Sequence, residues 1–155
     1  MTDDIEDRLS SASAAQLQRL MELVTEGPGT SDEALVRLSD PEALAEALSR
    51  VSSDDAGESA GVGRLLDRAT PPGELRTLRL RYQQLSVRAG QANDLLARTA
   101  ADLLSHACVA AAYVHHGVTI SARPIAERRD LYAHLVVRLQ AGPVAALFNA
   151  ALRAM

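Results

Sequence analysis

Lysine and tryptophan are absent from this chain, cysteine and phenylalanine occur once each, and tyrosine occurs three times. Each scarcity narrows the choices. The single thiol, Cys108, rules out a disulfide within the chain. With aromatics at 3%, a core has to be filled by Leu, Ala and Val, which suit closely packed helices and suit a β-sandwich poorly. Val118-Thr119-Ile120 is the one β-branched run, too short for a sheet. The longest apolar run, 107–114, is too short to span a bilayer. The acidic start Met1-Thr2-Asp3-Asp4 leads into no apolar signal segment. These features lead us to expect a soluble cytoplasmic chain with no membrane span. At 155 residues it has the size of one domain with an attached arm.

What is present is unevenly distributed. The net charge of −4 conceals 14 acids and four Arg in residues 1–60 (4 − 14 = −10), against 12 Arg and six acids in residues 61–155 (12 − 6 = +6). The simplest expectation is an acidic N-terminal half lying against a basic strut. The alternative is a charged partner for one of the halves.

Helical spacing dominates. From Glu74 to Val114, steps of three and four residues land on Leu75, Leu78, Tyr82, Leu85, Ala89, Ala92, Leu96, Thr99, Leu103, His106, Ala110 and Tyr113. Such a seam predicts a long helix packed on others, roughly 60 Å if continuous, or two collinear pieces if Gly90 bends it. Around it the pattern predicts helices near 14–26, 32–38, 41–51, 124–140 and 144–154. Asp40-Pro41 supplies a start signal, Gly117 a stop for the long helix, and Gly142-Pro143 a break. Residues 52–63 hold three Gly, three Ser and three acids, a linker composition. The expected architecture is therefore an all-α bundle organised around one long helix at about 74–115. It divides into an acidic short-helix segment (1–51), a linker (52–63) and a bundle domain (64–155).

Chemistry is sparse. Gly57, Gly61 and Gly63 lack the spacing and the Lys-Ser/Thr of a phosphate-binding loop. His106, His115, His116 and His134 stand in no metal-binding motif, and Cys108 lies two residues from His106, on a different helix face. No paired carboxylates sit on an apolar face. We therefore expect no metal, no cofactor and no enzyme; a site built from His106, Cys108 and His115-His116 is a distant third reading. Arg76, Arg79, Arg81 and Arg88 form a charged face on the strut, and a small regulatory nucleic-acid-binding protein is the alternative they raise. The neighbouring acids and the lack of interleaved aromatics oppose it.

The remaining class is protein binding. Ala89 and Ala92, beside Gly90, would leave a notch midway along the strut, edged by Leu95 and Leu96, into which another helix could settle. Its occupant is either one of the protein's own short helices or a client helix, and self-association through the same notch stays open. The stretch Asn93-Asp94-Leu95-Leu96, continued by Ala97-Arg-Thr-Ala-Ala-Asp-Leu-Leu104, resembles the C-terminal helix of the FlgN family of flagellar export chaperones, and the later Tyr113-Val-His-His-Gly117 resembles the Tyr-x-x-x-Gly turn that often follows it. The resemblance covers about a quarter of the chain. It implies a cytoplasmic chaperone that holds amphipathic helices of its clients, with Asn93, Leu95 and Leu96 as groove residues. Gly90 stands where that family has a second Asn, and residues 123–155 extend past its usual end.

Overall fold

The computed structural model describes residues 30–52 and 62–155. The chain divides between Glu33 and Ala34, and the packing that follows is that of residues 34–155. The expected helix over 14–26 and the linker residues 53–61 lie outside the described residues. Within them the protein is all helix, without a strand. The helices are α1 (Thr30–Arg37), α2 (Pro41–Ser49), a short α3 (62–66), α4 (Pro72–Gln91), α5 (Leu95–His116), α6 (Ile125–Leu139) and α7 (Pro143–Ala154).

The expected all-α bundle is present, and it is organised around residues 72–116. That stretch runs as two helices, however, not one straight strut. α4 ends at Gln91, three residues make a turn, and α5 packs back along α4. Ser86 Oγ donates to Asp102 Oδ1 at 2.5 Å, and these residues lie eight positions either side of Asp94, so the two helices are antiparallel. Each spans about 30 Å at 1.5 Å per residue.

The cause of the break is local. Asn93 takes φ 55, the left-handed region that Asn tolerates better than most side chains. Asp94 N–H donates to Ala89 O at 2.9 Å and Asn93 N–H to Gly90 O at 3.2 Å, the paired bonds of a Schellman stop. Asp94 then caps the next helix, its carboxylate accepting from Ala97 N–H at 3.1 Å. Asn93 closes one helix and Asp94 opens the other. Arg50, just past α2, pairs with Asp94 at 3.2 Å. In this ion pair the cation comes from the acidic segment, opposite in sense to the charge split expected from the sequence.

α5 is the helix the others share, packing against α2, α4 and α7, while α6 packs on α7. Its buried residues, among them Ala97, Ala100, Ala101, Leu104, Ala107, Ala110, Ala111 and Ala112, run round its circumference. Small side chains let neighbouring helices approach closely from several directions. α5 is also the one described helix long and apolar enough to cross a bilayer. Its most apolar window, at mean hydropathy 1.2, is 72% buried inside the protein, as a core helix would be.

The N-terminal boundary also differs from the expected one. Leu35, Leu38, Leu44, Ala47 and Leu48 belong to the same core as Leu104, Tyr132 and Phe148, so residues 34–51 are part of the bundle and not a separate segment ending at 51. Fully burying a Leu is worth about 1.5–3 kcal/mol, and Leu38, Leu44 and Leu48 are each 0% exposed. α2 starts as its sequence predicts: Asp40 Oδ1 accepts from Glu42 N–H at 3.1 Å and Pro41 occupies the first turn. Gly142, at φ +102 in the turn before α7, lies so close to Ser39 that a Cβ there would sit 2.2 Å from the Ser39 carbonyl oxygen.

Residues 62–70 are tied down from two sides. His115 Nε2 lies 3.2 Å from Leu65 O, and His116 Nε2 lies 2.6 Å from Thr70 O, both from the last turn of α5. Arg64 Nε donates to Glu74 Oε1 at 2.8 Å, and its Nη2 reaches the other carboxylate oxygen. This guanidinium holds the Glu74 carboxyl below its ordinary range.

Candidate interaction surface

The hairpin relocates the residues expected to form a notch. Ala89 is 0% exposed, facing α5 and the core. Ala92 and Asn93 are exposed at the turn, and a Cβ on Gly90 would meet the Arg98 side chain at 3.8 Å. Leu95 is 39% exposed, whereas Leu96 packs against the core. The midway notch on a straight strut therefore does not form. A sequence seam is read as one face of one helix; once the chain turns at Asn93, Ala89 goes inside the hairpin and Ala92 goes to its tip.

The four arginines separate in the same way. Arg79 is half-buried and its Nη1 donates to Ile120 O at 3.0 Å. Arg81 is half-buried and has a partner of its own. Arg76 and Arg88 are exposed. They flank the outer face of α4, opposite the buried Leu75, Tyr82, Leu85 and Ala89. On that outer face Leu80 is 61% and Val87 62% exposed. Seven residues apart, they lie nearly in line along the helix. Thr77, Gln83, Gln84 and Gln91 surround them, all exposed, and no acid falls among these positions. Leu80 and Val87 lie off the three-and-four seam, and their own seven-residue spacing is the local signal of the pair.

The histidines and the cysteine are not gathered into one site. Among the described residues no group of three or more His, Cys, Asp and Glu is placed to hold a metal ion. His115 and His116 reach backbone carbonyls, as above. Cys108 is fully buried, and burial pushes its thiol up to about 12, only partly opposed by Arg79, so it stays protonated at neutral pH.

A second cluster lies where α5 ends and α6 begins. Arg128, in the first turns of α6, is 6% exposed, the only charged residue that is buried among those described. Its guanidinium carbon sits 5.8 Å from the centre of the Tyr113 ring, a contact with the negative face of the aromatic system. Its Nε and Nη1 are buried without a hydrogen-bond partner. One turn later Tyr132 is 1% exposed, its ring 5.0 Å from that of Phe148. Burial pushes the Tyr132 phenol up to about 12 against the pull of Arg128, Arg123 and Arg79. The inward position of Tyr132 was legible in the sequence. Arg128, four residues before it on the same face, carries no such signal, because a guanidinium rarely lies in a core.

No protein-family model, no curated protein and no solved structure matches the chain.

Proposed function

We propose that the protein is a non-enzymatic interaction module that receives an amphipathic helix of a protein partner on the outer face of α4. The observation that supports this reading is the pair Leu80 and Val87, each more than 60% exposed, set between Arg76 and Arg88 on a face without acids. Two aliphatic side chains in line offer a partner helix an apolar stripe, and the flanking guanidiniums favour a partner with Asp or Glu beside its own stripe. The opposite face of α4 is anchored in the hairpin, so the docking face is presented on a rigid element. The narrower form of the reading, a cytoplasmic export chaperone, rests on the resemblance of residues 93–104 and 113–117 alone; in this fold Asn93 and Asp94 build the turn of the hairpin.

The test is a photocrosslinker placed at Leu80, at Val87 and, as a control, at exposed Ala146 of α7. We expect one discrete adduct from positions 80 and 87 and none from 146, and Leu80→Glu should abolish the adduct formed from 87. A self-adduct would identify the partner as a second copy. Equal labelling from all three positions refutes the docking face. Retention on duplex DNA that falls steeply with salt would instead favour the nucleic-acid reading.

A further inference from the structure

The Arg128 cluster is independent of the α4 face and has a chemistry of its own. A guanidinium keeps its proton at any physiological pH, so burial cannot be relieved by neutralising it. An ion withdrawn from water with N–H groups unmatched is strongly destabilising unless a group of opposite charge joins it. The guanidinium carbon lies 5.8 Å from the centre of the Tyr113 ring, but ring contact does not satisfy donors such as Nε–H and Nη1–H. Two more guanidiniums belong to the same neighbourhood. Arg79 reaches Ile120 O in the connection between α5 and α6, Arg123 stands in that connection with its backbone N–H donating to Ser121 Oγ at 3.1 Å, and both guanidiniums act together with that of Arg128 on the Tyr132 phenol. The Tyr132 hydroxyl, one helical turn beyond Arg128 on the same face, is hydrogen-bonded to the Arg128 side chain. α6 itself starts after Pro124 with no side-chain cap, which leaves its first-turn N–H groups and the positive end of its dipole on the same side. These features favour negative charge beside Arg128, and Glu127, exposed in the same first turn, is the acid already there. Gly117, Thr119, Ala122 and Pro124 of the connection, which Arg79 reaches at Ile120 O, are exposed.

We propose that Arg128, with Arg79, Arg123 and the Tyr132 hydroxyl, holds a small oxyanion, a phosphate or carboxylate group, beneath the 117–124 connection. Guanidiniums and phenols donate to oxygen anions through short charge-assisted bonds, and the helix start adds its first-turn N–H groups.

The experiment uses the full chain. Thermal unfolding is followed while inorganic phosphate or acetate replaces chloride at constant ionic strength, and the Arg Nε–H signals are followed by NMR in the same titrations. We expect a saturable rise in Tm and a saturable shift of the Arg128 Nε–H signal. Arg128→Met should weaken the affinity at least tenfold, and Arg79→Gln or Arg123→Gln at least threefold, the last two serving if Arg128→Met does not fold. A response to phosphate alone assigns a phosphate-bearing ligand, and a response to acetate alone a carboxylate-bearing one. The proposal is overturned if neither anion acts beyond chloride, or if the variants respond like the original protein.

Discussion

Replacing Gly142 by Ala probes the packing that joins the start of the bundle to its end. The new Cβ would lie 2.2 Å from Ser39 O, where real Cβ atoms stay beyond 3.0 Å, so one backbone must retreat by at least ~0.8 Å (3.0 − 2.2). The obstacle is a carbonyl in the turn between α1 and α2, which cannot rotate aside like a side-chain end. The residue also sits at φ +102, where an L side chain is strained irrespective of space. Roughly 1–3 kcal/mol for the dihedral and roughly 1–3 kcal/mol for the overpacking give a loss of about 2–6 kcal/mol. That is a large share of the roughly 5–15 kcal/mol by which domains are stable. Urea unfolding followed by far-ultraviolet circular dichroism measures it, with Gly73→Ala as the control. Gly73 lies in the first turn of α4 with nothing within 4 Å of an added Cβ, so Ala there should be neutral or stabilising by up to ~1 kcal/mol. If Gly142→Ala costs less than ~1 kcal/mol, the close approach to Ser39 is wrong, and with it the placement of residues 34–40 in the bundle.

Other substitutions test the hairpin and its surface. Leu103→Ala, at 2% exposure, should cost about 2–5 kcal/mol, while the half-buried Leu96 should cost less; equal small losses in chemical denaturation would contradict the packing of α5. Asp94→Ala removes the cap on Ala97 and the pair with Arg50, and should cost about 1 kcal/mol, nearly all of it from the cap because the pair is solvent-exposed. Leu80→Glu and Val87→Glu should leave stability within about 0.5 kcal/mol, and a larger loss of either would mean that the outer face of α4 is covered. Stability should also fall in alkali. The unfolded thiol loses its proton near pH 9 while buried Cys108 keeps its own to about 12, so the folded state binds the extra proton between those values and loses stability as pH rises. The slope approaches about 1.4 kcal/mol per pH unit, and Tyr132 adds a similar slope between pH 10 and about 12. Cys108→Ala should flatten the first part of the curve and Tyr132→Phe the second; an unchanged profile in either variant refutes the corresponding burial.

Much of the protein was determined by the sequence alone, because the signals concerned act within a few residues. The scarcity of aromatics and β-branched runs led to an all-α bundle; Asp40-Pro41 started α2, Gly117 stopped α5 at φ 65, and Gly142-Pro143 separated α6 from α7. Leu75, Tyr82, Leu85 and Leu103 lie on the seam expected to pack inward and are buried. Direction was decided only in the tertiary structure. A three-and-four seam repeats equally well along a straight helix and along one that folds back, since the pattern records which side of each turn is apolar and not where the axis points. The left-handed Asn93 and the double role of Asp94 reversed the chain without interrupting that pattern. The reversal took Ala89 inside and Ala92 to the tip, and left Leu80 and Val87 as the outward pair. Arg128 shows the same limit from another side: its burial against Tyr113 depends on where α5 ends relative to α6, a relation between residues 15 positions apart that no local pattern encodes.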